Sequence, residues 1–179
     1  AGSAERLVEL LETPPVIQGP QHPAAMPAPG VGRINFEDVT LNYPSRPDQP
    51  VLHDVSFAAE PGELIALVGP SGAGKTSIFN LIARFYDPTS GHVEMDGLDV
   101  RDVDPLVLRS RLALVPQEIS LFADTIAENI RYGDDAATDE AVRNAAIVAN
   151  AHDFIEALPG GYQAMLGERG VTLSGGQRQ

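Results

Sequence analysis

The eight residues from Gly69 to Thr76 constrain this chain more than any other segment. They read GPSGAGKT, which fits the pattern G-x-x-x-x-G-K-[ST]. The apolar run Leu64–Val68 precedes them and a helical pattern over Ser77–Phe85 follows, which is the strand–loop–helix context that the pattern requires. Glycines let such a loop curl until its backbone N–H groups converge on one anion. The sequence therefore predicts a loop that holds the phosphates of a nucleoside triphosphate.

Two side chains of this loop are predicted to act on the phosphates and their metal ion. Lys75 is placed to reach the β- and γ-phosphates, and the Thr76 hydroxyl is placed to bind Mg²⁺. The start of the following helix adds a favourable dipole. The predicted ATP-binding residues of this segment are Gly69, Pro70, Ser71, Gly72, Ala73, Gly74, Lys75, Thr76 and Ser77.

A second glycine-rich segment lies near the end of the sequence. Ser174-Gly175-Gly176 on its own is typical of a turn. Its position between Leu173 and Gln177-Arg178-Gln179 also fits a concave turn that opens a helix and accepts another phosphate. We expect a short helix to begin at this point.

The hydrophobic pattern predicts an α/β protein. Alternating apolar residues indicate two strands of an antiparallel unit, and continuous apolar runs indicate strands covered on both faces. Helical patterns dominate from Asp124 to Leu158, with Thr138 as the N-cap of a helix over 139–150. The predicted strands are Ile34–Leu41, Val51–Ala58, Leu64–Val68, His92–Met95 and Leu112–Val115.

Composition excludes several classes of function. The chain of 179 residues carries 12 basic and 25 acidic side chains, a formal net charge of −13, which argues against a surface that binds nucleic acid. It has no cysteine, so disulfides, cysteine-ligated zinc and thiol catalysis are excluded. Hydrophobic residues make up 43% of the sequence, as in ordinary soluble domains, and no stretch approaches the ~20 apolar residues of a membrane span.

The first 32 residues differ in texture from the rest. Ala4–Glu12 has leucines at helical spacing, with Leu7, Leu10 and Leu11 on one side, and Pro14-Pro15 would end the helix. Residues 13–30 contain six prolines and little charge, which indicates an extended linker. No basic start and apolar core of a secretory signal is present in the sequence as it stands.

Four motifs, in this order, resemble those of ABC ATPases over residues 33–179. GPSGAGKT resembles the Walker A loop, and LSGGQ at Leu173, Ser174, Gly175, Gly176 and Gln177 resembles the signature motif. Residues 115–118 (VPQE) resemble the Q-loop, and residues 43–46 (YPSR) resemble the A-loop. The resemblance implies that Tyr43 stacks on adenine and that Gln117 meets Mg²⁺ and the attacking water. From the residues alone, Tyr43 could also be a strand-end aromatic, but an aromatic face suits a base and favours stacking. Gln117 could also be a surface loop amide, but the kink at Pro116 after a predicted buried strand favours a functional role.

Several segments resemble the exporter branch of this family. The sequences of residues 43–47, 84–91 and 128–133 resemble those of exporters. Residues 167–170 resemble the X-loop, and this resemblance implies that Glu168 lies near the coupling helices of a membrane domain. The resemblance implies a P-loop NTPase fold with a RecA-like core, an antiparallel β subdomain and an α-helical subdomain at about 118–179, with the C-terminal part of the core missing. It also implies a membrane-domain helix extension at 1–12, a Pro-rich linker at 13–32 and a partial nucleotide-binding domain at 33–179.

The resemblance further implies partners and a mechanism. Two such domains meet head to tail, each Mg²⁺–ATP lying between one Walker A loop and the partner's signature motif, at the cytoplasmic face of the membrane that holds the transport domain. The family's Walker B strand, D-loop and switch His follow the signature motif, beyond Gln179. We therefore expect binding of Mg²⁺–ATP by this chain, little or no hydrolysis by it alone, and ATPase activity in the parent protein.

Two other functions remain open from the sequence. The first is a non-transport ABC ATPase of the chromosome-maintenance or DNA-repair class, although such proteins separate these motifs by a long coiled coil that is absent here. The second is a module that binds a nucleotide and responds to it without catalysis.

Overall fold

The computed structural model describes residues 6, 8, 11, 13–117, 119–167 and 173–179. The chain divides into two units, residues 1–113 and residues 114–179. Each unit has its own cluster of buried apolar side chains. Within the described residues, no helix has the length and apolar character that crossing a bilayer demands.

The first unit contains an antiparallel sheet of four strands. These are β1 (Ile34–Asn42), β2 (Pro50–Ala59), β3 (Ser90–Met95) and β4 (Leu98–Asp99), in the order β2-β1-β3-β4. The predicted antiparallel unit is therefore confirmed, and the predicted strand at His92–Met95 is its third member.

One face of this sheet forms the core of the first unit. Phe36 of β1 pairs with Phe57 of β2, and their rings stack with centroids 4.6 Å apart. Strand β1 buries Phe36, Val39 and Leu41. Two exposed residues separate Phe36 from Val39, because the pairing register shifts there and returns the apolar side chains to the covered face. The buried cluster comprises Phe36, Val39, Leu41, Leu52, Ile78, Leu81, Val93, Met95, Val100, Val103 and Leu108.

Between residues 13 and 113, all of which the structure describes, the first unit also has three helical segments: α1 (Lys75–Ile82), a 3-10 turn (Val100–Asp102) and α2 (Pro105–Arg109). Helix α1 buries Ile78 and Leu81 in the cluster of the sheet. It begins two residues before the predicted helix and ends three residues before the predicted end at Phe85. The helix stops because Arg84 adopts a left-handed backbone conformation, with φ of 48°.

The strands predicted at Leu64–Val68 and Leu112–Val115 are not present. Both segments lack secondary structure, and Leu64 and Val68 are 97% and 92% exposed. A buried strand needs a hydrogen-bonded neighbour on each side, and the sheet of the described residues pairs neither segment. The prediction of two strands from apolar runs is therefore wrong here, because neither segment has a neighbouring strand among the described residues with which to form backbone hydrogen bonds.

The second unit is helical. Its helices are α3 (Ile126–Arg131), α4 (Asp139–Val148), α5 (His152–Glu156), the 3-10 turn Gly161–Gln163 and α6 (Gly175–Arg178). Thr138 caps α4 as predicted, because its hydroxyl accepts a hydrogen bond from the Ala141 N–H at 3.2 Å. The core of this unit is formed by Ile126, Ala146, Ile155, Ala164 and Leu166.

The segment before β1 is only partly described. Arg6, Val8 and Leu11 are helical, while Leu7 and Leu10 of the predicted apolar side lie outside the described residues. Residues 13–33 contain no helix or strand.

Candidate functional site

The loop at residues 69–76 is curled and open to solvent. Gly72 and Gly74 both have positive φ, 83° and 82°, which reverses the chain within a few residues. The Ala73 N–H donates to the Pro70 carbonyl at 3.3 Å, and α1 begins immediately afterwards at Lys75. The loop therefore has the shape that a phosphate-binding turn before a helix needs.

Gly74 is required here by space as well as by conformation. A Cβ at this position would lie 2.7 Å from the Leu52 Cδ2 and 2.9 Å from the Val51 carbonyl oxygen. The N-terminus of α1 is therefore packed directly on β2. This contact places the loop at a fixed position on the first unit.

The Lys75 ammonium lies across the loop. Its Nζ donates to the carbonyl oxygens of Gly69 at 2.9 Å and Pro70 at 2.7 Å. The positive charge is therefore held where an anion on the loop would meet it. The neighbouring Thr76 side chain is exposed, so its hydroxyl is accessible to a cation.

Tyr43 is attached to α1 through its hydroxyl. The Tyr43 Oη lies 2.9 Å from the Ser77 Oγ, and the Asn80 Nδ2 donates to it at 3.2 Å. The Tyr86 ring packs edge-on against the Tyr43 ring, with centroids 4.8 Å apart. In the first unit, helix α1 therefore contacts the predicted adenine-stacking ring and directly follows the predicted phosphate loop. The contact of Asn80 with Tyr43 was not predicted, because Asn80 belongs to no recognised motif. Tyr86 lies in the exporter-like segment 84–91, but nothing in the sequence indicated that its ring meets Tyr43.

The signature segment adopts the predicted short helix. Ser174 and Gln177 form a reciprocal capping box: the Ser174 Oγ accepts from the Gln177 N–H at 3.3 Å, and the Gln177 Oε1 accepts from the Ser174 N–H at 2.9 Å. A Cβ on Gly175 or Gly176 would meet nothing within 4 Å. Leu173 packs against the core of the second unit, and it anchors the segment.

Gln117 is an exposed residue at a bend in the second unit. With Ile119, Gly175, Arg178 and Gln179 it lines a cleft of about 280 Å³. Gln117 and the signature helix are therefore neighbours within this unit. Glu168, the predicted coupling residue, lies outside the described residues.

Known proteins resemble this chain along nearly its whole length. The family model for the ABC transporter matches residues 52–179. ABC transporter B family member 1 of Arabidopsis thaliana is 48% identical over 99% of this chain and 14% of that protein. The ATP-dependent lipid A-core flippase of Thiobacillus denitrificans is 50% identical over 86% of this chain and 26% of the flippase.

Solved structures agree with the sequence relatives. The structure of a bacterial Atm1-family ABC exporter with ATP bound matches 98% of this chain and 30% of that chain, with 41% identity and a TM-score of 0.86. The chain thus spans less than a third of the length of each of these relatives. Because the family model covers most of the chain and the relatives share about half of its residues, the chain belongs to the ABC transporter family and has the P-loop NTPase fold of its ATPase domain.

Proposed function

We propose that this chain binds Mg²⁺–ATP and is the nucleotide-binding part of an exporter, in which ATP binding and hydrolysis drive a substrate across a membrane. The observation that carries the proposal is the open loop at 69–76. This loop leads into helix α1, and the Tyr43 hydroxyl is hydrogen-bonded to Ser77 of the same helix. Relatives named as exporters and flippases support the transport role. The proposed division is a helix extension at 1–12, a linker at 13–32 and the nucleotide-binding domain at 33–179.

The proposed contacts of ATP follow from the first unit. The backbone N–H groups of Gly72, Gly74 and their neighbours hold the β-phosphate, and Lys75 turns from the loop carbonyls to the β- and γ-phosphates. The Tyr43 ring supplies a flat apolar face for adenine. The exposed hydroxyl of Thr76 suits the hard Mg²⁺ ion, so Thr76 is its proposed ligand in the first unit. The proposed contact of Gln117 with Mg²⁺ rests on the resemblance of residues 115–118 to the Q-loop alone.

The proposed partner is a second nucleotide-binding domain in a head-to-tail pair. Leu173, Ser174, Gly175, Gly176 and Gln177 then close over the γ-phosphate held by the partner. The bare, exposed backbone at Gly175 and Gly176 supports this role, since side chains there would keep a phosphate away. ATP shared by two domains favours the closed pair, and its hydrolysis releases them.

Exporter-type transporters also have a transmembrane domain, and we propose that such a domain receives the motion of this chain through the regions of Gln117 and Glu168. The proposed location is the cytoplasmic face of the membrane. The alternative of a chromosome-maintenance or DNA-repair ATPase is not favoured, because the relatives that match 99% and 86% of this chain are named as a transporter and a flippase. The acidic net charge of −13 points the same way.

Equilibrium binding of Mg²⁺–ATP to the Lys75→Ala variant tests the proposal. Hydrogen bonds to charged groups contribute about 1.5–3 kcal/mol, so we expect affinity to fall by about tenfold or more. Arg143→Ala is the matched control, because it removes one positive charge from the exposed surface of the second unit. Equal affinity of Lys75→Ala and the parent chain would refute the assignment of the loop.

A turnover measurement beside this titration separates the proposed coupling ATPase from a module that only binds. Binding by this chain with no hydrolysis, together with hydrolysis by the longer transporter that contains it, is the expected result. Tight binding with no hydrolysis by either protein would favour the module that responds to the nucleotide without catalysis.

A further inference from the structure

Helix α1 is bounded by two buried polar side chains. Ser77 lies in its first turn and Arg84 lies two residues beyond its last residue, Ile82, and their exposed fractions are 4% and 5%. Elsewhere in the described part of the chain, polar and charged residues are less buried. Ser77 meets Tyr43, as described above, whereas nothing in the proposed function uses Arg84. A buried guanidinium must be hydrogen-bonded, so its partners identify what it holds.

The Arg84 guanidinium joins three separate parts of the first unit. Its Nε donates to the Asp87 Oδ1 at 3.0 Å, and its Nη1 donates to the Val103 carbonyl at 3.1 Å. Its Nη2 donates to the carbonyl of Gln18 at 3.2 Å, 66 positions earlier in the sequence. One side chain therefore connects the end of α1 with the proline-rich segment.

This proline-rich segment, residues 13–33, is here called the strap. Its Ala24 N–H donates to the Asp102 carbonyl at 2.8 Å, and its Met26 side chain packs against the core of the sheet. The last three residues of the strap, Val31, Gly32 and Arg33, bind Asp96, which follows β3. Their backbone N–H groups donate to the Asp96 carboxylate at 3.2, 2.8 and 2.8 Å. The strap is therefore bound to the first unit at points from Gln18 to Arg33 and does not act as a free spacer there.

A second arginine fixes the end of α1 to α2. The Arg109 Nε donates to the Ala83 carbonyl at 3.0 Å, and its Nη2 donates to the Arg84 carbonyl at 2.8 Å. The carbonyl groups that a helix end leaves without partners are satisfied in this way. The backbone of Arg84 is thus held in place by Arg109, and the Arg84 side chain extends from this fixed point to the Gln18 carbonyl of the strap.

We propose that Arg84 is a positioning residue that couples docking of the strap to nucleotide binding at residues 69–76. Helix α1 has eight residues and is about 12 Å long, so a shift at Arg84 moves Lys75 as well. Docking of the strap completes the set of acceptors around Arg84 and holds α1 where its first turn presents Lys75 and Thr76. This inference rests on the proposed function, since it assigns a regulator to the same site.

Coupling between two sites is reciprocal. A docked strap therefore raises the affinity for ATP, and bound ATP raises the stability of the docked strap. The second effect is measurable in the unaltered chain, because the Ala24 amide hydrogen is protected from exchange only while it donates to Asp102. The Ala24 amide touches neither Arg84 nor the loop, so a merely structural role of Arg84 predicts no response there to ATP.

The experiment compares hydrogen exchange at Ala24 and affinity for Mg²⁺–ATP in the full chain and in two variants of Asp96. Asp96→Gly removes the carboxylate and tolerates the backbone φ of 53° at this position. Asp96→Asn tolerates the same φ and keeps one acceptor oxygen, so it is the matched control. Arg84→Lys serves as a third variant, because an ammonium cannot reproduce the planar fork that reaches three acceptors.

We expect Asp96→Gly and Arg84→Lys to exchange faster at Ala24 and to bind ATP about fivefold more weakly, at the lower end of typical coupling between sites. Asp96→Asn should lie between Asp96→Gly and the parent chain, and ATP should slow exchange at Ala24 in the parent chain. ATP binding without any change at Ala24, or faster exchange in Asp96→Gly with unchanged affinity, would overturn the coupling alone. Absence of ATP binding by the parent chain would overturn the proposed function and the coupling together.

Discussion

The hydroxyl of Tyr43 lies 2.9 Å from the Oγ of Ser77, and this contact joins the end of β1 to the first turn of α1. The two residues are 34 positions apart in the sequence. Because Ser77 follows Thr76 directly, the contact sets the position of the aromatic ring relative to the phosphate loop. A nucleotide whose base meets Tyr43 and whose phosphates meet Lys75 would therefore contact two residues whose separation is set by helix α1.

Tyr43 substitutions separate stacking from positioning. Stacking of a base on an aromatic side chain contributes about 1–3 kcal/mol, so Tyr43→Ala is expected to weaken ATP binding by about 5- to 150-fold. Tyr43→Phe keeps the ring and loses only the hydrogen bonds to Ser77 and Asn80, and it should weaken binding by a few-fold. Isothermal titration with ATP measures both values.

Inorganic triphosphate is the control ligand for these variants, because it reaches the loop but has no base to stack. Its affinity should be the same in Tyr43→Ala as in the parent chain. An equal loss for ATP and for triphosphate would mean that Tyr43 supports the loop and does not contact adenine.

Gly74→Ala should destabilise the first unit. The new Cβ would lie 2.7 Å from the Leu52 side chain and 2.9 Å from the Val51 carbonyl, and φ of 82° is strained for alanine. Overpacking of this kind costs about 1–3 kcal/mol, measured as a lower midpoint of urea unfolding. Gly133→Ala is the control, because a Cβ there meets nothing within 4 Å. Equal midpoints for the two variants would contradict the packing of the loop on β2.

The Asp99–Arg101 ion pair should stabilise the chain in a way that depends on pH. Burial opposes ionisation of Asp99, but the hydrogen bonds and charge of Arg101 prevail, so the pKa of Asp99 lies below its ordinary value of 3.8. A carboxylate with a lowered pKa adds stability above its unfolded-state pKa and loses it as the pH falls through its folded-state pKa. Arg101→Gln should therefore unfold more easily than the parent chain at pH 6.

At pH 2.5 the difference between Arg101→Gln and the parent chain should be smaller than at pH 6, since a falling pH protonates more of the Asp99 carboxyl and so removes charge that Arg101 stabilises. Urea unfolding at the two pH values measures the difference. A gap of the same size at pH 6 and pH 2.5 would show that Arg101 acts through packing of its side chain and not through its charge.

The exposed apolar run at 64–68 should tolerate polar substitution. Val68 is 92% exposed, so Val68→Thr is expected to leave the free energy of unfolding within about 0.5 kcal/mol of the parent value and to reduce aggregation in light scattering. Leu81→Ala is the contrasting variant, because this side chain is buried in the core and its loss costs about 2–5 kcal/mol. A comparable loss in Val68→Thr would show that this segment is covered in solution.

Local chemistry accounts for the features that the sequence alone predicted. The largely alternating pattern over Ile34–Leu41 indicated a strand, and Thr138 had the hydroxyl of an N-cap. A short helix was predicted at the signature segment, and the structure adds the capping box of Ser174 and Gln177 that begins it. The signal for α2 was also present, since Asp104 caps it and Pro105 opens it. The loop at 69–76 needed only its own glycines and the start of a helix.

Tertiary structure decided what depends on distant partners. Leu64–Val68 had the composition of a central strand, but a strand exists only where neighbouring chains offer hydrogen bonds, and no pattern within the run records them. The burial of Arg84 depended on a carbonyl 66 residues away, and the hold on Tyr43 depended on Ser77 and Asn80. The sequence by itself determined which segments could form a turn, a helix cap or a local pair. Contacts between residues that are distant in sequence determined which side chains meet helix α1 and which are buried.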